Sequence, residues 1–224
     1  MQYRHEWKHE ISYGDLVSIR QRLRAIAEAD SHAINGVYHI RSLYFDNLND
    51  KALREKIDGV NRREKFRIRC YNDDPSFIHL EKKSKLNGLG TKFSVLLSED
   101  ETRKIINGQI GDWMMDPKRP LLEEFYCKMV YQGMAPKTIV DYTREPYIYR
   151  PGNVRVTFDY DIRTGLGYTD LLDFDHPTVP AGDVGIILEV KWDNYLPEII
   201  RDIVQTPARR VTAFSKYAQC RIYD

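Results

Sequence analysis

Residues 62–97 constrain this chain more than any other stretch. They read R-R-E-K-F-R-I-R-C-Y, a short turn, F-I-H-L-E-K-K-S-K, a glycine turn and T-K-F-S-V-L-L. With the two-residue period of a β-strand, Lys65, Arg67 and Arg69 fall on one face and Phe66, Ile68 and Cys70 on the other. His79, Glu81, Lys83 and Lys85 share a face opposite Ile78, Leu80 and Lys82, and Lys92 and Ser94 stand across from Phe93 and Val95. The expected elements are antiparallel hairpin strands with one apolar and one cationic face. An ordinary half-buried sheet also alternates with its polar face in water, and for any one of these strands alone a solvated surface is the usual reading. The same pattern returns in later strands, each time with Arg or Lys on the polar face.

Those later strands follow in chain order. Residues 3–11 form a strand with Arg4, Glu6, Lys8 and Glu10 opposite His5 and Trp7. Leu16, Ile19, Leu23 and Ile26 recur at helical spacing, which predicts a helix over 15–29 capped by Ser12 or Asp15. Residues 37–46 are a strand with aromatics on both faces, so alternation does not assign Arg41 or Asp46 to a side. A short helix over 50–57 follows. Ser98 with Glu101 is a capping box opening a helix that Gly108 closes, and a second helix spans 121–131 with Gly133 at its end. Residues 137–145 place Thr138, Val140, Tyr142 and Arg144 on one face, with Pro146 and Pro151 marking turns. In 154–163, Arg155, Thr157, Asp159, Asp161 and Arg163 alternate with Val154, Val156, Phe158, Tyr160 and Ile162. A loop fills 164–183. Glu189 and Lys191 then oppose Leu188, Val190 and Trp192, and the tail over 195–219 is helical with a break near Pro207.

The length of 224 residues suits one domain, 1–224, since no linker, low-complexity run or repeat divides it. The net charge of +1 excludes a polycation that coats nucleic acid, so any basic site must come from arrangement. Cys70, Cys127 and Cys220 are too scattered for a metal-ligand set or a disulfide framework. With no apolar leader or membrane-length run, a cytoplasmic protein is expected.

About eight mostly antiparallel strands with flanking helices make the expected class α+β, an antiparallel closed β-barrel whose interior is a charged tunnel. Two arrangements remain open at this point. With apolar faces inward, the charges are ordinary surface; with apolar faces outward under the helices, they line the interior. An interior holding Lys65, Arg67, Arg69, Lys83, Lys92, Arg144, Arg155 and Lys191 repels itself unless paired. Glu6, Glu81, Asp159, Asp161 and Glu189 pair only some of them. The remainder calls for an anion of high charge density, for which phosphate chains suit Arg forks and Lys point charges. The carboxylates would then hold a divalent cation, Mg²⁺ or Mn²⁺, against phosphate oxygens.

The residues at this point resemble a known family, the VTC domain, the polyphosphate-polymerase branch of the triphosphate tunnel metalloenzymes. The resemblance spans nearly the whole chain. It rests on E-W-K-H near the start, S-L-Y-F-D-N at 42–47, K-F-R-I-R-C-Y at 65–71 and L-E-K-K-S-K at 80–85 with Lys92. Y-T-R-E-P-Y at 142–147, V-R-V-T-F-D at 154–159, I-L-E-V-K at 187–191 and S-K-Y at 215–217 complete it. It implies phosphate contacts from Lys8, Arg67, Arg69, Lys83, Lys92, Arg144 and Lys216, with Arg155 and Lys191 beside them. It implies a metal on Glu189, with Glu6 a further metal candidate. The superfamily's E-x-E-x-K signature keeps Glu6 and Lys8 here but has Arg4 in place of its first glutamate, which favours the polymerase branch.

The activity so implied is transfer of the γ-phosphate of ATP to a growing polyphosphate chain, with Lys8, Arg67, Arg69, Lys83, Arg144 and Glu189 carrying the chemistry. ATP and polyphosphate are the expected partners, and no nucleic acid is. A membrane-protein partner is compatible with the family, although the chain carries no span of its own. Hydrolysis of a triphosphate and non-catalytic polyphosphate binding are the alternatives. No Ser/His/Asp set, phosphate-binding glycine loop or Cys nucleophile is present, and His79 is the one histidine expected to face phosphate.

Overall fold

A computed structural model describes residues 4–30, 33–205, 210–211 and 213–223. In chain order the elements are β1 (His5–Ile11), α1 (Tyr13–Arg24), β2 (Glu28–Ala29), β3 (Tyr38–Asp46), α2 (Lys51–Ile57), β4 (Arg63–Tyr71), β5 (Asp74–Leu86) and β6 (Leu89–Leu97). Then come α3 (Glu99–Ile106), α4 (Pro120–Gln132), β7 (Ala135–Tyr149), β8 (Val154–Thr164), β9 (Val179–Pro180), β10 (Ile186–Trp192), α5 (Glu198–Ile203), β11 (Arg210–Val211) and α6 (Lys216–Cys220). Eight of the described strands are seven residues or longer, as the alternation predicts. The class is α+β, an antiparallel sheet flanked by helices.

The chain forms two compact units. The first comprises Met1–His39, Tyr142–Ile162 and Gly182–Phe214. Its ladder runs β11-β1-β10-β8-β7. The apolar positions of β8 and β10 are packed by helices: Val156, Phe158, Leu188 and Val190 meet Leu16, Ile19 and Leu23 of α1 and Ile200 and Ile203 of α5 in one buried cluster. Ser12 caps α1 through a full capping box, its Oγ accepting from the Asp15 amide at 3.1 Å while Asp15 accepts from the Ser12 amide at 3.2 Å.

The second unit comprises Ile40–Asp141, Arg163–Ala181 and Ser215–Asp224. Its ladder runs β7-β3-β4-β5-β6. Here Phe66, Ile68, Ile78 and Leu80 pack against Ile105 of α3 and Leu122, Phe125 and Met129 of α4. The Ser98–Glu101 capping box forms as the spacing implies, and Gly133 ends α4 at φ 62°, a left-handed conformation that glycine adopts without a Cβ penalty.

In each unit the apolar strand face lies under helices, which settles the choice left open by alternation. The charged face is nevertheless not a solvated one: Arg67 is 5% exposed, Arg69 3%, Glu81 1%, Asp159 0% and Glu189 3%.

Five expectations need correction. The closed barrel is not formed: β11 and β6 each end the ladder, with one described neighbour apiece. The helix expected over 15–29 stops at Arg24, because Glu28 and Ala29 pair with Ile148 and Tyr147 as a strand. Pro146 marks no turn, since β7 runs through it to Tyr149; an extended strand tolerates proline's fixed φ where its missing N–H is not needed. The helical tail is two short helices and the strand β11, and Tyr3 and Pro207 lie outside the described residues. Alternation in β8 also breaks at Asp161, whose φ of 49° leaves it exposed. Among the described residues, no helix is long and apolar enough to cross a membrane.

Candidate functional site

In the first unit, cross-strand register brings the β1, β8 and β10 charges together. Lys8 stands opposite Glu189, Glu6 opposite Lys191, and Glu189 opposite Thr157. Lys191 Nζ lies 2.5 Å from Glu189 Oε1 and 3.4 Å from Glu6 Oε1. Lys8 Nζ lies 3.5 Å from Glu6 Oε2 and 3.9 Å from Glu189 Oε1. From β7, Arg144 forks onto Asp159 at 2.6 and 2.7 Å and donates to Glu189 Oε2 at 3.1 Å. Burial alone would raise the Glu189 carboxyl. Lys191, Lys8, a hydrogen bond from Glu6 and Arg144 outweigh it and hold Glu189 well below the usual carboxylate range. Burial would lower Lys8, but Glu189, Glu6 and Asp159 push it up to about 12. Burial is likewise overcome at Arg144, which Asp159 and Glu189 hold well above its ordinary value.

This cluster is electrically balanced, with Lys8, Arg144 and Lys191 against Glu6, Asp159 and Glu189. Two details distinguish it. Lys8 and Lys191 each lie within 4 Å of both the Glu6 and the Glu189 carboxylate, so two acids share the same two ammonium groups. The buried Thr157 hydroxyl, next to Glu189 in register, has no hydrogen-bond partner among the described residues. Arg155 turns away from this group, donating to Asp30 at 2.9 Å.

In the second unit, β3, β4, β5 and β6 align Tyr44, Arg67, Glu81 and Ser94 in one cross-strand row. Arg67 Nε donates to Glu81 at 2.8 Å and its NH1 donates to Tyr44 Oη at 2.8 Å. Arg69 Nε donates to Ser42 at 2.9 Å, and Lys92 Nζ to Glu81 Oε1 at 2.8 Å. Lys83 stands opposite Lys92. Burial would raise Glu81, yet Arg67, Arg69, Lys92 and Lys83 together hold it far below its ordinary value. Those are four cations around one carboxylate. His79, opposite Arg69 in register, is held below its ordinary value by burial with Lys92 and Arg69, so it is neutral near pH 7.

Lys216 opens α6. Its neighbour Tyr217 stacks on Tyr44 with ring centroids 4.9 Å apart and donates to Asp46 at 3.0 Å, so α6 is seated beside the Glu81 cluster. Asp46 also accepts from the amides of Asn47, Ala52 and Leu53. Arg41 pairs with buried Asp141 at 2.9 Å, a structural pair away from the Glu81 row.

Tyr44 is the member of this cluster that sequence patterning misses, because β3 is buried on both faces and shows no alternation. Burial alone would raise its phenol, but Arg67, Lys65 and Arg69 bring it down to about 7. An ultraviolet titration of the free protein is therefore expected to show Tyr44 ionising near pH 7, a transition that Tyr44→Phe removes. A titration unchanged by the substitution refutes this assignment. Aromatics are thus present on the basic face, contrary to expectation from β4–β6 alone. Tyr44 is 3% exposed and stacked, so it is not presented to a nucleobase.

Among the described residues, no three His, Cys, Asp or Glu side chains gather into a metal-binding group of their own. The VTC domain model matches residues 3–222. No curated protein matches the chain. Among solved structures, it is similar to a Bacillus halodurans protein provisionally assigned as an adenylate cyclase, at 12% identity over 90% of this chain and 86% of that one, with a TM-score of 0.49. It is similar to a Pyrococcus horikoshii OT3 protein at 14% identity, 90% and 84% coverage and a TM-score of 0.45. A conserved hypothetical protein from Pyrococcus furiosus gives 13% identity, 90% and 85% coverage and a TM-score of 0.45.

Proposed function

For a chain that belongs to the VTC domain family, we propose transfer of the γ-phosphate of ATP to the end of a growing inorganic polyphosphate chain, with Mn²⁺ or Mg²⁺ as cofactor. The Glu81 cluster carries this proposal. Arg67, Arg69, Lys83 and Lys92 act on one buried carboxylate, a grouping of cations suited to a phosphate chain.

The donor set of the first unit fits a divalent cation. Glu6 and Glu189 are hard carboxylates that share Lys8 and Lys191, Glu189 is held well below the usual carboxylate range, and such ions are commonly held by one or two carboxylates plus phosphate oxygens. Glu189 and Glu6 would hold it, and when bound it would neutralise developing charge on the phosphates.

The chain's own residues do the rest. Arg67 and Arg144 present planar forks to phosphate oxygens, while Lys8, pushed up to about 12, stays charged throughout the neutral range. Glu81 and Asp159 fix those forks in place before substrate arrives. A terminal oxygen of the polyphosphate chain forms the new bond to the γ-phosphorus, the β–γ bridging bond breaks, and ADP leaves. The attacking oxygen is already an oxyanion, so no general base is needed, and positioning with charge neutralisation supplies the rate.

The test uses ATP labelled at the γ-phosphate with either metal, with products resolved by chain length, beside Glu189→Gln. Metal-dependent long chains, reduced about 10²- to 10³-fold in the variant, are expected. Label released only as free phosphate converts the assignment to a triphosphatase. Binding without turnover converts it to a polyphosphate-binding module.

A further inference from the structure

Six serine and threonine side chains are buried among the described residues, and five of them have a hydrogen-bond partner. Ser42 accepts from Arg69, and Thr102 donates to the Ser98 carbonyl. Thr138 and Thr164 share one bond, and Thr178 accepts from Arg163. Thr157 of β8 is the exception. The residue is 3% exposed, and its hydroxyl is closed off from water with no partner among the described residues. A buried hydroxyl left unpaired costs stability, so the one that is stranded needs a reason.

Register places that hydroxyl. Thr157 stands directly opposite Glu189 of β10, which stands opposite Lys8 of β1. Directly opposed strand residues carry their side chains on one face, with Cβ atoms about 5 Å apart. The acceptors nearby are committed elsewhere. Glu189 receives Arg144 on Oε2 at 3.1 Å and Lys191 on Oε1 at 2.5 Å, and Asp159 receives Arg144 on both oxygens. Charged donors outcompete a neutral hydroxyl for those oxygens. The Thr157 oxygen is therefore an uncharged acceptor beside Glu189.

A hydrated divalent cation supplies a donor for it. Such an ion, held by one or two carboxylates, keeps several waters whose hydrogens point outward. An uncharged oxygen also suits this cluster. Lys8, Arg144 and Lys191 already balance Glu6, Asp159 and Glu189, and a further carboxylate would add a buried negative charge. A phosphate oxygen is the poorer match, since it brings its own negative charge against Glu189.

We propose that Thr157 is a positioning residue for the cation, its Oγ1 accepting a hydrogen bond from a water of the hydrated Mn²⁺ or Mg²⁺ held by Glu189 and Glu6. This rests on the cation assignment made above and adds an uncharged acceptor to it. Partners of this kind, one step removed from the metal, typically set its affinity by about 10- to 100-fold.

The experiment titrates Mn²⁺ alone into the intact protein and follows the free ion by electron paramagnetic resonance. Tripolyphosphate binding in the presence of a chelator, and thermal unfolding without metal, are measured beside it. Thr157→Val keeps the side-chain shape and removes the hydroxyl, and Thr157→Ser keeps the hydroxyl. Thr102→Val is the control for a buried hydroxyl that has its partner. Thr157→Val is expected to bind Mn²⁺ about 10- to 100-fold more weakly and tripolyphosphate within about twofold of the parent. Thr157→Ser should stay within about threefold for Mn²⁺. In metal-free buffer Thr157→Val should unfold about 2–4 °C higher than the parent, because a stranded hydroxyl is removed. Thr102→Val should unfold lower and bind Mn²⁺ as the parent does. Unchanged Mn²⁺ affinity in Thr157→Val overturns the proposal and leaves the Glu189 cation standing. A tripolyphosphate loss equal to the Mn²⁺ loss also overturns it, by placing the hydroxyl on phosphate. A fall in unfolding temperature like that of Thr102→Val overturns it as well, by revealing a structural partner. Mn²⁺ binding that is absent in the parent, or that survives Glu189→Gln, overturns the cation assignment itself.

Discussion

Arg144→Ala will destabilise the protein by about 3–5 kcal/mol. Its guanidinium is the bidentate partner of Asp159, which is fully buried, and it also donates to buried Glu189. Removing it leaves two buried carboxylates short of a cation, and an uncompensated buried charge is far costlier than a lost surface pair. Arg144→Lys will recover part of the loss, since an ammonium restores charge but cannot fork across both Asp159 oxygens. Adding Asp159→Asn to Arg144→Ala will recover stability too, because it removes the charge left stranded, and the two changes will be strongly non-additive. Chemical denaturation measures all of this. A loss below about 1 kcal/mol for Arg144→Ala would mean that Asp159 finds another partner or takes up a proton at little cost.

Glu81→Gln carries the second large effect and the opposite sign of stranded charge. Arg67, Arg69, Lys92 and Lys83 act on that carboxylate, so neutralising it leaves four cations facing one another. A loss of about 3–5 kcal/mol in phosphate-free buffer is expected. Tripolyphosphate should restore much of it by supplying the missing anion through binding to the folded state. The pH dependence follows from the depressed folded-state value of Glu81. A carboxyl held below its unfolded value of about 4.5 contributes its stability fully above that pH and loses it as the pH falls further. The parent will therefore weaken steeply below about pH 4.5, and Glu81→Gln, lacking the group, will show a shallower decline. Parallel acid profiles for the two proteins would show that Glu81 is not the carboxylate responsible.

The strand faces, the Ser98–Glu101 capping box and a cap at Ser12 or Asp15 were legible because they depend on local spacing. Arg67 beside Phe66, Glu189 beside Val190 and Asp159 beside Phe158 each carry a two-residue period that one chain segment displays by itself. Ser12 with Asp15 and Ser98 with Glu101 satisfy helix amides within four residues. The family resemblance rested on the same local motifs strung in order.

Tertiary structure decided whatever depended on partners distant in sequence. Tyr44 and Asp46 lie in a strand buried on both faces, so no alternation could place them, and only pairing with Arg67 and Tyr217 shows what they do. Arg155 alternates faithfully with its neighbours yet reaches Asp30, 125 residues away, in place of the Glu189 group. The apolar spacing through Ile26 continued past the end of α1, but pairing of Glu28 and Ala29 with β7 outweighed it. The sequence alone thus determined which residues share a face. Tertiary packing decided that helices cover the apolar face and that the charged face is buried among its own cross-strand ion pairs, because burial is a property of what covers a surface and not of the strand that presents it.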